Sequence, residues 1–293
     1  MAPSIITSPD DPALAELCRE LAGRAAALDA SGAWPADQLR LCGEYGVFQW
    51  FAGQQWGGQA WSAEDVLRGY LALSAACLTT TFVITQREGA CRRIEASENR
   101  ALKERLLPAL TRGERHATVG ISHLTTSRRH LAAPPLVARR ARGGFRLDGY
   151  SPWVTGAPHA DYVVLGATLA VGEVPAAEQL LAVVPRDARG ARAGETARLI
   201  ALSASHTGEF RCEDVAVADD GVIAGPVENV MATGAGAGTG GLQTSTLALG
   251  LARSALDYLV AETARRPELE APYAALEADY ARQTEALLAA ARG

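Results

Sequence analysis

The sequence has few of the features on which disulfide-rich, metal-binding and hydrolytic proteins depend. Its five cysteines are scattered over 293 residues and never spaced as CxxC, which argues against a disulfide framework or a zinc site. The five histidines show no HExxH spacing and no GxSxG elbow accompanies them, so no metal is predicted and a triad hydrolase is disfavoured. The cysteines are expected to be small buried hydrophobes: Cys18, Cys42, Cys77, Cys91 and Cys212.

Long apolar runs and an excess of basic charge are also missing. No window approaches the roughly 18 apolar residues that a membrane-spanning helix needs, and the N-terminal segment lacks a charged leader. The formal net charge is −5, so neither nucleic acid nor an anionic membrane is an expected partner. With 48% hydrophobic and 21% charged residues, the composition predicts a globular, cytoplasmic protein.

The pattern of apolar residues changes along the chain, and the first region has a helical pattern. Residues 1–113 show helical periodicity, with one apolar face behind an Asp11-Pro12 start and another helix headed by Ser62 and Asp65. A later helix is expected to stop around Pro108. This region predicts an N-terminal helical domain.

Residues 114–228 contain short β-rich runs separated by glycine, proline and charged residues. The turns are closely spaced and no helical pattern intervenes, which indicates a barrel or a sandwich rather than a parallel sheet. One of the expected strands is ARLIALS, residues 197–203. The region therefore predicts a central β domain that is a barrel or a sandwich, and the whole chain an α+β fold.

Residues 229–293 return to a helical pattern and predict a short C-terminal helical domain. From Leu242 the helix is apolar or small nearly all round, so it is expected to be deeply buried. The last helix carries a stripe of Tyr273, Leu276, Tyr280 and Leu287. Two helices cannot enclose a core, so these faces must meet the N-terminal helices, another subunit or a segment outside this chain. We expect a homo-oligomer, a dimer or a tetramer.

Three further motifs admit both a functional and a structural interpretation. GAGAGTGG, residues 234–241, contains a formal GxGxxG, but no βαβ pattern surrounds it, which favours a loop over a dinucleotide fingerprint. His123 in GISHLTTS could face a ligand or belong to a turn satisfied by its own side chains. An arginine cluster could hold phosphates, although most such clusters are solvated. Its members are Arg128, Arg129, Arg139, Arg140 and Arg142.

The order of these regions, together with a series of short motifs, resembles the acyl-CoA dehydrogenase family of flavoproteins. The motifs are QQWGGQAWS at 54–62, LKERLLPALTRGE at 102–114, GISHLTTS at 120–127, GYSPWVTGAPHADYVVLGA at 149–167 and ALGLARSALDYL at 248–259. The resemblance runs over most of the chain and implies an N-terminal helical domain, a central antiparallel β-barrel and a C-terminal helical domain, which is shortened here. It also implies FAD, with FMN as the alternative flavin, bound between barrel and helices.

The resemblance implies which residues contact the cofactor. Trp153 and Thr155 match the family's W-x-T step, in which the indole covers the flavin ring and the threonine bonds near its reactive nitrogen. Ile121 and Ser122 fall where the family's Thr-Glu-Pro segment contacts the pyrimidine side. Independently of the family, Trp153 and Thr155 are two positions apart at an expected strand start. Their side chains therefore point to the same side of the pleat, where they could cover a flat ring and contact its edge. The alternative for Trp153 is a core tryptophan beside a turn.

Two further cofactor contacts are implied by matches elsewhere. Ser127 matches the serine of the family's Gly-Ser pair near the cofactor phosphates. Arg266 matches an arginine that reaches the FAD of a neighbouring subunit. Arg265 and Arg266 could instead be cations that the dipole favours at a helix C-terminus.

The family's catalytic base does not carry over to this sequence. The family removes an α-proton with a glutamate, placed either at the start of the long C-terminal helix, where this chain has Gly240, or beyond where this chain stops. The adjacent arginine is Gly241 here, Thr-Glu-Pro is Ser122-His123-Leu124, and the usual Phe-Gly is Leu269-Glu270. The catalytic residues therefore stay unassigned.

Three explanations fit these departures. The chain is a fragment of a longer protein, a relative that activates oxygen and needs no carboxylate there, or a protein that has lost catalysis. The leading hypothesis is a flavin-dependent oxidoreductase that oxidises a CH–CH bond of an acyl thioester. A flavin-dependent monooxygenase acting on another small molecule and a non-catalytic binding protein are the alternatives.

Overall fold

The computed structural model describes residues 4–125, 133–172, 174–233 and 241–292. Its N-terminal part consists of helices α1 (Pro12–Ser31), α2 (Ala36–Glu44), α3 (Ala63–Ala76), α4 (Leu78–Ala96) and α5 (Arg100–Thr111). Asp11 caps α1, because its carboxylate accepts the Ala13 N–H at 3.0 Å. Ser62 caps α3 by accepting the Asp65 N–H at 3.1 Å. Both predicted helix starts are confirmed.

Helix α5 does not stop at Pro108 as expected, but continues through it to Thr111. A proline inside a helix removes one backbone hydrogen bond and crowds the preceding turn. Burial of the surrounding leucines offsets that cost, since Leu106, Leu107 and Leu110 are each at most 3% exposed. Tertiary packing therefore overrides the local signal at this proline.

The middle region forms an eight-stranded sheet. Its strands are β1 (Ala117–Gly120), β2 (Leu136–Ala141), β3 (Gly144–Val154), β4 (Tyr162–Val171), β5 (Val174–Pro185), β6 (Ala191–Thr196), β7 (Gly208–Ala218) and β8 (Val222–Glu228). The order is β6–β7–β3–β2–β4–β5–β8, with β1 paired to β4 off this path. A one-turn helix, α6 (Ser122–Thr125), follows β1.

This sheet differs in two ways from the antiparallel barrel that the sequence predicts. β1 and β2 both pair with β4 in parallel, so the sheet is mixed. Among the described strands, the path ends at β6 on one side and at β8 on the other, and no pairing closes it. Parallel neighbours cannot be joined by a tight turn, and here β2 and β3 lie between β1 and β4 in the chain. Turn spacing reports strand lengths, not strand partners.

The strand expected at residues 197–203 is also wrong. The chain forms β6 just before it, with Ala191 opposite Cys212 and Ala193 opposite Phe210 of β7. Ile200, at the centre of the expected strand, is fully exposed, so the segment lacks the buried face that its apolar residues suggested.

Both faces of the sheet are buried. Successive side chains of a strand point in opposite directions, so neighbouring residues belong to different cores. Val164 and Val183 join the core that the sheet shares with the N-terminal helices. Their neighbours Val163 and Val184 join a second core, enclosed by the strands and their turns. The first core fixes the sheet against the helices and thereby positions the end of β1.

Helices α7 (Gly241–Thr263) and α8 (Glu270–Ala291) follow the sheet. α7 packs closely on α3, and a Cβ at Gly250 would lie 2.4 Å from the Ser74 Cβ. The expectation that this helix is deeply buried is nevertheless wrong for this chain, since Leu251 is 50% and Tyr258 72% exposed. An apolar helix needs partners on all sides, and α3, α4 and α8 cover only part of its circumference.

Two properties can be stated for the described part of the chain. It contains no helix that is both long and apolar enough to cross a membrane. Nor does it contain a group of three His, Cys, Asp or Glu side chains placed to hold a metal ion. All five cysteines are free thiols and mostly buried, as expected for small hydrophobes.

Candidate functional site

The residues that the sequence assigns to a flavin wall lie at or just after the ends of β1 and β3, two strands that contact each other without pairing. β1 ends at Gly120, where a Cβ would lie 2.9 Å from the Val154 side chain and 3.0 Å from the Ser151 Oγ. Only a glycine allows the backbone to approach β3 this closely. Ile121 and Ser122 therefore follow directly against β3, which α6 also contacts. The structure brings both segments of the predicted wall together.

Trp153 is the exposed member of an otherwise buried segment. Its side chain is 46% exposed, whereas Val154 is fully buried and Thr155 is 5% exposed. The tryptophan lies at the end of β3 and not at a strand start, as the sequence suggested. A half-exposed indole held by buried neighbours presents a flat apolar surface in a fixed position.

Thr155 belongs to a chain of three hydroxyl groups. Its Oγ1 lies 2.9 Å from the Oγ1 of Thr207, which in turn lies 2.8 Å from the Oγ of Ser205. The Thr118 hydroxyl donates to the Thr155 backbone carbonyl at 2.8 Å and ties the residue to β1. A hydroxyl has one proton and two lone pairs. Thr155 Oγ1 can therefore make a further hydrogen bond while it stays bonded to Thr207.

Two buried hydroxyl groups near this junction have no hydrogen-bond partner among the described residues. They are the Oγ atoms of Ser122 and Ser151. A buried hydroxyl without a partner is costly, so each atom marks a position where a bound group would be favourable. Ile121, 6% exposed, adds aliphatic surface beside Ser122.

His123 is hydrogen-bonded to the sheet. It is 4% exposed, and its Nε2 lies 2.7 Å from the carbonyl oxygen of Gly166 in β4. Burial lowers the pKa of the imidazole, against a smaller opposing effect of the bond to Gly166. The neutral ring donates from Nε2 to that carbonyl. This contact favours the structural interpretation of His123.

Two further residues are predicted to contact the cofactor, and the structure describes one of them. Ser127 lies outside the described residues. Arg266 is exposed in the turn between α7 and α8, where its N–H donates to the Glu262 and Thr263 carbonyls. Within this chain it stays with α7, which packs on α3, α4 and α8.

The arginine cluster and the glycine-rich motif add nothing to the wall in the described residues. Arg139 pairs with Asp148 at 3.1 Å, and Arg140 with Asp219 at 3.4 Å, which fits solvated ion pairs rather than a phosphate site. Arg128 and Arg129 lie outside the described residues, as does the glycine-rich segment 234–240.

A catalytic base stays unassigned. Gly241, at the place of the family's arginine, is the first residue of α7, and Gly240 lies outside the described residues. Glu88 is a fully buried carboxylate in α4, but Arg92 forms an ion pair with it.

Sequence reasoning missed Thr118, Ser205 and Thr207. Hydroxyl residues that meet only in the folded sheet show no characteristic spacing, so no signal in the chain pointed to them.

Comparisons with known proteins show what the sequence and the fold of this chain are similar to. Residues 12–114 match the family description "Acyl-CoA dehydrogenase, N-terminal domain". The chain is 26% identical over 270 residues to benzylmalonyl-CoA dehydrogenase of Aromatoleum aromaticum. That alignment covers 86% of this chain and 66% of the relative, so the chain spans just under two thirds of the relative's length.

Solved structures share the fold. KijD3 in complex with dTDP has a TM-score of 0.77 at 25% identity, over 98% of this chain and 78% of that chain. A second KijD3 structure contains FMN and a dTDP-linked amino sugar, with a TM-score of 0.78 at 23% identity, over 98% of this chain and 76% of that one. Butyryl-CoA dehydrogenase of Megasphaera elsdenii has a TM-score of 0.81 at 15% identity, over 95% of this chain and 77% of that one.

The matched N-terminal segment covers helices α1 to α5, and the order of helices, sheet and helices is that of the solved relatives. The resemblance to the acyl-CoA dehydrogenase family of flavoproteins is thereby confirmed in the N-terminal segment and in the fold.

Proposed function

We propose that this chain binds a flavin on the wall formed by Trp153, Ile121 and Ser122 and acts as a flavin-dependent oxidoreductase. The observation that carries the proposal is the 46% exposed indole of Trp153 beside a fully buried Val154. The chain neighbours Pro152 and Val154 are buried while this large aromatic ring stays open, which leaves a flat apolar surface available to a ligand.

The residues present fit a flavin. The ring has flat apolar faces and a polar edge that carries hydrogen-bond donors and acceptors. Trp153 supplies a flat surface, Ile121 an aliphatic one, and the unpartnered Ser122 hydroxyl a contact for the edge. FAD is the first choice and FMN the second.

When bound, the flavin supplies two-electron chemistry, and the protein binds and orients it. Thr155 would contact the ring edge with an Oγ1 that Thr207 already holds in place, so little side-chain freedom is lost on binding. Ser127 is proposed to contact the phosphates, and Arg266 to reach the cofactor of a second subunit in a homo-oligomer. The domains are proposed as residues 1–113, 114–228 and 229–293.

The reaction that we propose first is CH–CH oxidation of an acyl thioester. The match of residues 12–114 and the 26% identity to benzylmalonyl-CoA dehydrogenase support it.

The test is reconstitution of the purified chain with FAD or FMN, followed by removal of free flavin. We expect retained visible flavin absorbance and a higher unfolding temperature, because a ligand that binds only the folded state stabilises it. Loss of both signals with both flavins would refute the proposal. Anaerobic addition of acyl thioesters should then bleach the flavin absorbance.

A flavin-dependent monooxygenase is the second candidate. The fold is shared with a dibenzothiophene monooxygenase of Paenibacillus sp. A11-2 at a TM-score of 0.75, and glycine stands at position 241, where the family resemblance implies an arginine. Rapid reaction of the reduced flavin with oxygen, together with an oxygenated product, would favour this candidate. Bound flavin with neither substrate-dependent reduction nor oxygenation would indicate a non-catalytic binding protein.

A further inference from the structure

A groove of about 470 Å³ lies at the opposite end of β1 from the proposed flavin wall. It is bounded by α2 on one side and by the turn from α5 into β1 on the other, with Trp34 and His159 at one wall. β1 begins at Ala117, directly after His116 of the groove, and Ile121 follows its last residue. A strand of this length spans about 13 Å, so the groove lies apart from Ile121 and Ser122, although Gly156, directly after Thr155, packs against Trp34 of the groove.

The floor of the groove contains a buried cation. Arg87 is 1% exposed, and its guanidinium stacks 3.9 Å from the centre of the Phe48 ring. Its Nη2 donates to two backbone carbonyls, that of Leu110 near the end of α5 and that of Arg115. The other nitrogen, Nη1, has no acceptor among the described residues.

Arg87 also has no carboxylate partner in the described part of the chain. Carbonyl oxygens and a ring face offset part of the cost of burying a guanidinium, but a buried positive charge is normally paired with a negative one. Glu88, the adjacent buried carboxylate, is paired with Arg92 instead. A net positive charge is left at the floor.

The other arginines of the groove do have partners. Arg112 pairs with Glu114 at 2.6 Å and Arg115 with Asp161 at 2.7 Å, while Arg40 pairs with Glu44. The charges of these exposed rim pairs cancel, so they leave the charge of Arg87 uncompensated. The electrostatic preference of the groove is therefore set at its floor.

His116 supplies a second unsatisfied group at the same place. Its Nε2 is buried without a partner in the described residues, while its backbone N–H donates to Asp161 at 2.8 Å. Burial, together with the charge of Arg87, lowers the pKa of the imidazole to about 3. The ring is neutral at physiological pH and can present an N–H to an acceptor.

We propose that this groove binds a small organic anion, with its carboxylate at Arg87 Nη1 and His116 Nε2 and its apolar part against Trp34 and Leu39. A carboxylate satisfies both nitrogens with one group, because it accepts through two oxygens, and it neutralises the floor. The Trp34 ring is stacked on His159 at 4.2 Å between centroids, which fixes it as a flat apolar wall. Leu39 adds aliphatic surface.

The experiment is calorimetric titration of the full chain with benzoate and, as its uncharged counterpart of the same shape, benzamide. We expect benzoate to bind at least ten times more tightly than benzamide, since only the carboxylate pairs with the buried charge. His116→Leu should weaken benzoate at least about tenfold, as expected for one hydrogen bond to a charged group. Arg87→Met should abolish binding.

Arg146→Met is the matched control, because Arg146 is an exposed arginine paired with Asp214 on the sheet. It should leave benzoate affinity unchanged. If Arg87→Met does not fold, His116→Leu and the benzamide comparison still decide the matter. Equal binding of benzoate and benzamide, no binding of benzoate, or equal affinity in His116→Leu would each overturn the proposal. Tighter binding of inorganic phosphate than of benzoate would overturn the assignment to a carboxylate.

Discussion

The two ends of β1 have different chemical surroundings. At its C-terminal end, Ser122 and Ser151 contribute neutral hydroxyls that lack a partner among the described residues, and Trp153 of β3 contributes an exposed ring. At its N-terminal end, Arg87 and His116 contribute nitrogens, one of them charged, at the floor of a groove. A flat uncharged ring suits the first end, and a carboxylate suits the second.

The two ends of β1 differ in the kind of group that has no hydrogen-bond or charge partner in the described residues. A buried neutral hydroxyl without a partner is costly, but a buried cation without a counterion costs considerably more. At the groove end, stability and ligand affinity should therefore depend strongly on pH and charge. At the wall end, ligand affinity should depend mainly on shape.

The largest expected effect is the pH dependence of stability at the groove end. Because burial and Arg87 hold the pKa of His116 near 3 in the folded state, the unfolded chain binds a proton that the folded chain does not between about pH 6.5 and pH 3. The free energy of unfolding should fall with decreasing pH in that window, by up to about 1.4 kcal/mol per pH unit from this residue. Denaturant unfolding at a series of pH values measures it.

His116→Leu provides the comparison. The variant should lose part of that slope and keep the rest, because burial also lowers the pKa of His123 and His159. Above pH 7 the slopes of variant and wild type should coincide. An unchanged slope between pH 3 and pH 6.5 would contradict the buried, neutral state of His116.

The next effect concerns packing at the wall end. Gly120→Ala places a Cβ 2.7 Å from Leu165 and 2.9 Å from Val154, which forces β1 and β3 apart. We expect the free energy of unfolding to fall by about 1–3 kcal/mol and flavin affinity to fall with it. Gly23→Ala in α1 is the matched control, since its Cβ would contact nothing within 4 Å, and it should stabilise slightly. Equal unfolding midpoints for both variants would contradict the close approach.

The helix caps, the proposed flavin wall and the groove differ in how well the sequence predicts them. Asp11 and Ser62 were predicted as helix caps because capping depends on neighbours in the chain. Trp153 was proposed as a wall residue from its W-x-T step, a local motif in a family pattern. By contrast, Thr207 contacts Thr155 only because β7 pairs with β3, and Arg87 reaches His116 only because α4 packs beneath the start of β1.

The errors have the same cause. The parallel partners of β4, the continuation of α5 through Pro108 and the exposed faces of α7 all depend on contacts between distant segments. Local propensity and periodicity do not encode these contacts. In the described residues, local chemistry was predictable and the choice of partners was not.

Trp153→Ala tests the flat surface of the wall end. Loss of ring stacking, about 1 kcal/mol, should raise the flavin dissociation constant about fivefold. Trp153→Phe should restore most of the affinity, because it keeps an aromatic face. Val171→Ala is the control for loss of an exposed apolar side chain, since Val171 is 78% exposed at the end of β4. Fluorescence titration with FAD or FMN gives these constants, and equal values for alanine and wild type would remove Trp153 from the wall.

The smallest effect is expected from Thr207, which contacts Thr155 and not the proposed cofactor. Thr207→Val keeps the shape but removes the hydroxyl that lies 2.9 Å from Thr155 Oγ1 and 2.8 Å from Ser205 Oγ. Thr155 then has to rotate or hydrogen-bond differently, so flavin affinity should fall about twofold to fivefold, the worth of a weakened neutral hydrogen bond. The absorption maximum of the bound flavin should shift, which a purely structural loss of stability would not cause. Thr207→Ser should restore both values, and an unshifted spectrum in Thr207→Val would show that the hydroxyl chain does not position Thr155.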